Sequence, residues 1–292
     1  MLASELILRP NGSIYHLGIR PEQVAPLIIT VGDPERVRQV SKYFDAVECM
    51  VREREFVTHT GRLGQRRISV VSTGIGPDNV DIVLNELDAL VNIDFKSRTV
   101  RDTVQSLTIV RLGTAGSLQA EIPTDSFVAS VGAFGMDGLL QFYRAESQQN
   151  HPMVDSLRQH CKGTWDFPLA PYYAEAAPDV LLRFSPTLFH YGITATNPGF
   201  YGPQGRCLRA PVRQPKYLDL LQSFQDRQRK IVNLEMETAA IYGLSRLLGH
   251  RAVSLSAILA NRPSGTFSRK PAKTVKNLIE TALEIISSDF ES

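Results

Sequence analysis

The sequence predicts an α/β fold built around a largely parallel or mixed sheet, and three observations carry that expectation. Short β-rich apolar runs alternate with stretches of helical periodicity along nearly the whole chain; several of those runs give way to small glycine-rich segments; and no repeat or low-complexity stretch breaks the alternation. With 292 residues, 43% hydrophobic and 21% charged, the chain can bury a sizeable core as one large or two small domains, which excludes a disordered or coiled-coil reading. Lys and Arg number 32 against 30 Asp and Glu. A net charge of +2 is too balanced for a nucleic-acid or membrane surface, so any bound anion has to be met by local residues. Cys49, Cys161 and Cys207 show neither pairing nor metal spacing, and an odd count fits a reducing compartment. The six histidines are scattered, without HExxH or a Cys/His cluster, which argues against a catalytic zinc. MLASELILRP lacks the layout of a signal peptide, and no apolar run reaches the roughly eighteen residues of a membrane span. A cytoplasmic protein is expected.

The first unit is PLIITVGDPERVRQVSKYF, residues 26–44: a strand, a turn at Gly32, then Asp33 as N-cap and Pro34 as first helical residue. Glycine lets a backbone come close to a ligand, and a helix N-terminus presents free N–H groups to an anion. Arg36 sits one turn in, as a ligand contact or as a solvated surface residue. The second unit, residues 66–91, repeats the plan with Gly74, Gly76 and Pro77, and buries Val80, Val83, Leu84, Leu87, Leu90 and Val91. The third, LTIVRLGTAGSL at 107–118, is expected to end its strand in a turn carrying Arg111, Gly113, Thr114 and Gly116. Open α/β sheets bind ligands outside the carboxyl ends of their strands, so the three turns are expected to share one crevice. Neither GxGxxG nor GxxxxGK[ST] occurs in them, which removes support for NAD or ATP.

Arginine is what the turns share. Arg36, Arg111, and Arg54 from VREREFVTHTG, together with the Thr114 hydroxyl, suit inorganic phosphate, because each guanidinium offers a two-pronged fork that stays charged. Arg54 reads equally well as an ion-pair partner of Glu53 and Glu55. Residues 92–106 read as a polar surface insertion. The stretch 145–185 carries little information, with Trp165 and Tyr172 read as packing residues. Residues 188–209 read as a strand followed by a functional loop: Phe200 and Tyr201 could stack on a flat ring, Gln204 could address a lactam edge, and Arg206 could donate to a ring carbonyl. LEMETAAIYGLSRLLGH at 234–250 sets Glu235 and Glu237 at the start of an amphipathic helix whose apolar face is Met236, Ala240, Gly243, Leu244 and Leu247. Acidic residues there also simply oppose the helix dipole. A buried strand over 252–262 ends in Asn261 and Arg262, and a structural last helix buries Val275, Leu278, Ile279, Ala282 and Ile286.

VGDPER, REF, STGIG, VRLGTAGSLQ, GFYGPQGR, NLEMETAA and ANR stand in the order and approximate spacing seen in nucleoside phosphorylases of the hexameric type. The chain resembles that family over nearly its full length. The resemblance implies a single domain over 1–292, an α/β nucleoside phosphorylase fold whose mixed sheet has a barrel-like portion flanked by helices. It further implies a hexamer built from dimers with shared active sites. The implied reaction is reversible phosphorolysis of a nucleoside, with phosphate as co-substrate and no organic cofactor.

Residue by residue, the resemblance puts phosphate at Gly32, Arg36, Arg111 and Thr114, with Arg54 entering from the adjacent subunit. Ribose falls to Met236 and Glu237, with Glu235 and Thr114 beside them and the neighbour's His16 near the 5′-hydroxyl. The base falls to Phe200, Gln204 and Arg206, to which the reading of the loop residues adds Tyr201. Arg36, Arg111, Arg206 and Glu237 are the implied catalytic set. A monovalent cation such as K+ at the dimer interface would fall to Glu55, Ile75 and Asn79, although GIGPDN here departs from the bacterial GIGGPS. The 92–106 insertion and the loop PSGTFSRK depart as well. Asn261 stands where purine-specific relatives carry an aspartate, which favours a pyrimidine nucleoside such as uridine. A purine phosphorylase, a nucleosidase using water, and a nonenzymatic nucleoside-binding member are the other readings.

Overall fold

The computed structural model describes residues 1–165 and 167–289; Asp166 and the last three residues of the expected 1–292 domain lie outside the described residues. In chain order the elements are β1 (Leu27–Val31), α1 (Pro34–Ser41), β2 (Ala46–Glu53), β3 (Phe56–Leu63), β4 (Arg66–Ser72), α2 (Pro77–Asn92), β5 (Ile93–Asp94), β6 (Thr99–Val100) and β7 (Thr108–Ser117). There follow β8 (Phe127–Gly135), α3 (Glu146–Gln149), α4 (Pro152–Cys161), β9 (Tyr172–Glu175), α5 (Pro178–Leu181), β10 (His190–Thr196) and α6 (Tyr217–Ser223). The last group is β11 (Gln225–Asp226), β12 (Arg229–Glu235), α7 (Thr238–Leu248), β13 (Arg251–Asn261), β14 (Thr266–Phe267) and α8 (Pro271–Asp289).

All five residues of β1 are buried, the pattern of a strand covered on both faces. It pairs in parallel with β4 on one side and β7 on the other. Its side chains alternate between two cores: Leu27, Ile29 and Val31 join α1 and α8 on one face, and Ile28 joins α2 and α7 on the other. Antiparallel β3 and β2 extend the sheet beyond β4. At the other side β7, β13, β8, β10 and β12 pair in succession, and β12 returns to β7 through Asn233↔Ser117 and Leu234↔Gly116. Those five strands form a closed ring within a twelve-stranded mixed sheet, the barrel-like portion that the resemblance implies. Among the described residues no helix is long and apolar enough to cross a membrane.

Three expectations are corrected. The GTAG segment is not a turn, because β7 runs through it to Ser117. The strand pairs with β13 along its whole length, while its other edge leaves β1 after Arg111 and meets β12 at Gly116 and Ser117, and its small residues let it bend from one partner to the other. Glu235 does not open a helix: it ends β12, and α7 begins only at Thr238. Nor does α7 have one apolar face, since every residue from Thr238 to Ser245 is buried. It sits between α2 and the strands of the ring, closely enough that a methyl group on Gly243 would come within 2.5 Å of Leu140. The 92–106 stretch is partly structured, as the hairpin of β5 and β6 held by the Asn92 amide on Asp88 and Gln105.

Candidate active site

The carboxyl ends of β1, β4, β7 and β12 open into a cavity of about 610 Å³. Gly32, Arg36, Arg111, Thr114, Phe200, Gln204, Arg206, Glu235, Met236 and Glu237 all line it. Most of the residues read as functional from sequence therefore meet in one place.

At one end stands the N-terminus of α1. Asp33 caps it by accepting from the Glu35 N–H at 2.9 Å, and Pro34 occupies the first helical turn. Arg36, on the next position but one, is partly buried, and its guanidinium makes a single long contact, to the Leu112 carbonyl at 3.4 Å. Burial, with Arg111 adding to it against Asp33, lowers its pKa below the usual arginine range. An arginine so placed is still a cation at working pH, and among the described residues no carboxylate forms an ion pair with it.

Arg111 is in the opposite condition. Its Nη2 donates to Glu237 at 2.6 Å and to Glu235 at 2.9 Å, and Nη1 reaches the Ser254 and Ser256 hydroxyls at 3.3 and 3.4 Å. Burial opposes its charge, but the two carboxylates outweigh burial and raise its pKa. The side chain folds back over Gly113, where a Cβ would lie 2.0 Å from Nη1, so any larger residue there has to displace the guanidinium from its carboxylates.

Glu237 accepts from Arg111 and, through Oε1, from the Gly76 N–H at 2.8 Å. Gly76 can present that N–H only from φ +100, a conformation open to glycine. Burial and the neighbouring Glu235 charge raise the Glu237 carboxyl, with Arg111 opposing. Glu235 differs again. It accepts from the Thr196 hydroxyl at 2.6 Å and from the Glu237 and Thr238 N–H groups at 2.9 Å, which caps α7, and it also takes Arg111. Its oxygens are spent inside the protein, so it positions Arg111 and the helix and has no free acceptor for a nucleoside.

At the far end of the cavity Gln204 is buried and its Oε1 accepts from Arg206 Nη1 at 2.6 Å. The same nitrogen donates to the Phe200 carbonyl at 2.7 Å, and the guanidinium lies 3.8 Å from the centroid of the Phe200 ring. Burial, then the nearby Arg262, lower the Arg206 pKa to about 10. Arg262 is itself half-buried and lowered by burial. Sequence reasoning had treated it only as a strand end. Phe267, from the loop PSGTFSRK, lines the cavity and was likewise missed; an aromatic in a Gly/Ser segment just beyond a buried strand was the available signal.

Some expected residues stand elsewhere. Tyr201 meets the edge of Phe200 at 5.3 Å between centroids and does not line the cavity. The Asn261 amide donates to the Gln119 and Ile122 carbonyls at 3.0 and 2.9 Å, and its oxygen accepts from the Ser264 N–H at 2.9 Å. It braces a loop and does not face the base end, so it supplies no physical argument for a pyrimidine. Arg54 sits at the exposed tip between β2 and β3, at φ +54, near the Tyr15 ring and away from the cavity. Its acidic neighbour Glu53 pairs with Arg9 instead. His16 is held by Glu86, which accepts from its Nδ1 at 2.7 Å and from the Leu17 N–H at 2.8 Å, again outside the cavity. Around Gly74, a Cβ would come within 2.4 Å of Asn79 Nδ2 and 3.5 Å of Glu55 Cγ, which puts those two side chains together behind the turn, while the exposed Ile75 of the same turn does line the cavity.

A cavity with a free cation at a helix N-terminus, a carboxylate–arginine pair in its middle and a glutamine–arginine pair at its end is arranged for an anion and a polar ring-bearing ligand. The chain belongs to the phosphorylase superfamily, whose family model matches residues 26–288. It is 30% identical over 280 residues to the uridine phosphorylase of Thermococcus kodakarensis, covering 95% of this chain and 88% of that relative. It is 26% identical to the uridine phosphorylase of Treponema pallidum, over 85% of this chain and 82% of the relative. Among solved structures it superposes on a Trypanosoma brucei nucleoside phosphorylase, described as showing uridine phosphorylase activity, with a TM-score of 0.87 and 27% identity over 97% and 99% of the two chains.

Proposed function

We propose that the protein is a pentosyltransferase that cleaves uridine reversibly with phosphate, giving uracil and ribose 1-phosphate in pyrimidine nucleoside salvage in the cytoplasm. The observation that carries this reading is the unpaired Arg36 guanidinium on the cavity that also holds the Arg111–Glu237 pair and the Gln204–Arg206 pair. Water needs no such cation, which speaks for phosphorolysis over hydrolysis. A protein that only bound nucleosides would have no use for it either.

In this reading phosphate lies against Arg36, Thr114 and the backbone at Gly32, with Arg111 turned toward both phosphate and sugar. Glu237, fixed by Gly76 and Arg111, accepts from the ribose hydroxyls on its remaining lone pairs, with Met236 packed beside the sugar. A phosphate oxygen attacks the anomeric carbon as the C–N bond breaks, and the bonding electron pair leaves with the uracil ring. The phosphate charge stabilises the oxocarbenium-like sugar between them. Arg206 and the Gln204 amide take up the negative charge that develops on the ring, Gln204 through Nε2 because Arg206 already occupies its oxygen. Phosphate is the second substrate, so the chemistry calls for no organic cofactor.

The reading includes a homo-oligomer of dimers, up to a hexamer, in which Arg54 and His16 complete a neighbour's site; the placement of both outside their own cavity, Arg54 exposed and His16 part-buried against Glu86, supports it. One chain offers Glu55, the Asn79 amide and the Ile75 backbone for a monovalent cation, and a two-fold partner would double that donor set. The test of base choice is steady-state cleavage of uridine, thymidine and inosine in saturating phosphate. Preference for uridine is expected, and preference for inosine would make the protein a purine enzyme of the same fold.

A further inference from the structure

Phe267 has no place in the core: it is 64% exposed, and it stands on the rim between the cavity that Phe200, Gln204, Arg206, Leu259 and Ala260 also line and a shallow surface pocket beside Asp125 and Lys270. Its position is set by backbone. β14 pairs antiparallel to β13 with Phe267 directly opposite Ala260, so the two side chains share one face, and the small Ala260 leaves that face open in front of the ring.

Both flanks of this short strand are tied down. The Ser268 N–H donates to the Leu259 carbonyl at 2.7 Å, and Asp125 accepts from the Ser268 and Thr274 hydroxyls at 2.5 Å each. On the other flank the Asn261 oxygen accepts from the Ser264 N–H at 2.9 Å, and the Ser264 and Thr266 hydroxyls share a 2.8 Å hydrogen bond. The strand that carries the ring is thus fixed on both sides, and the ring is held out of the core without a loss of backbone order. Meanwhile Phe200 is already occupied, with the Arg206 guanidinium against its ring and Tyr201 at its edge. With the Arg206 guanidinium against one face of Phe200, Phe267 is a second aromatic side chain on the cavity and carries no such partner among the ring contacts of the described residues.

We propose that Phe267 packs against the bound base and narrows the base end of the cavity to a single ring, which makes it a positioning and specificity-determining residue for the nucleoside. The inference rests on the pyrimidine reading of that end. It separates cleanly from the phosphate end, where Arg36 and Gly32 stand on other elements.

The experiment compares wild type, F267A and F267Y in uridine and inosine cleavage, with both nucleoside and phosphate varied, alongside calorimetric binding of uracil and of hypoxanthine without turnover. F267A should raise the uridine KM about tenfold, the scale of one base–aromatic stack, and leave the phosphate KM within about twofold. F267Y should stay near wild type, and F267A should raise the ratio of inosine to uridine kcat/KM. An unchanged uridine KM, or an unchanged inosine-to-uridine ratio, overturns the proposal. If wild type does not cleave uridine at all, the functional reading fails separately, and Phe267 is judged on calorimetry. Weaker base binding in F267A then upholds its role, while equal binding in both proteins, or none in either, overturns it.

Discussion

Arg36 and Arg111 line the same cavity and do different work. Arg36 makes no direct ion pair among the described residues, so its removal takes away an anion ligand and leaves the rest of the site in place. R36A should raise the phosphate KM about a hundredfold with the thermal midpoint nearly unchanged, as steady-state kinetics and a melting curve would show. Arg111 neutralises two buried carboxylates, so R111A should also lower stability, by roughly 3 kcal/mol or more, because Glu235 and Glu237 are then left facing each other. The sequence showed both arginines and both glutamates but not this division of labour. Whether the oxygens of Glu235 are free depends on Thr196 and on the start of α7, and neither is visible from spacing.

Asp137 gives a residue-scale prediction in pH. Burial raises its carboxyl from 3.8 to about 6, against hydrogen bonds from the Leu139 N–H and the Tyr172 hydroxyl. The folded protein holds this proton more tightly than the unfolded chain. The stabilising contribution is therefore complete below about pH 4 and is lost as pH rises through about 6. D137N carries no such charge. Relative to wild type it should gain roughly 2 kcal/mol in denaturant unfolding between pH 4 and pH 7, a figure discounted because the residue is not fully buried. A wild-type-to-D137N difference that is the same at both pH values would contradict this.

At the scale of elements, β7 shows what periodicity can and cannot give. The apolar run and the arginine at its end were legible, and so were β1, α1, β4 and α2, because each is a local pattern with its own stop signal. The continuation of β7 through Gly113 and Gly116 was not, since glycines read as a turn unless the pairing with β13 and β12 is known. The same long-range pairing sets a test. G113A puts a methyl group where the Arg111 guanidinium lies, so kcat/KM should fall about a hundredfold while the far-ultraviolet circular dichroism spectrum stays that of the folded protein. α7 was misread in a related way. Its period is helical, but over Thr238 to Ser245 a helix enclosed by a sheet ring and α2 has no solvent face for a pattern to report.

At the scale of the whole molecule, the full-length resemblance made the fold class and the ring of strands readable. The interplay between copies was not, because Arg54 and His16 look like surface residues in one chain. If each site takes Arg36 from one protomer and Arg54 from its partner, R36A and R54A should complement. Mixing the two impaired variants after unfolding and refolding, and assaying at phosphate well below the raised KM, should restore roughly a quarter of wild-type activity, since random pairing makes half the dimers mixed and each mixed dimer holds one intact site. Sites complete within a single chain would give no recovery. Behind all of these lies the claim that this cavity is an anion clamp joined to a nucleoside site. The direct measurement is uracil release from uridine by the wild-type protein with phosphate varied from zero upward, with the sugar product identified. The account predicts release that saturates with phosphate and yields ribose 1-phosphate; release of uracil and free ribose at the same rate without phosphate would contradict it.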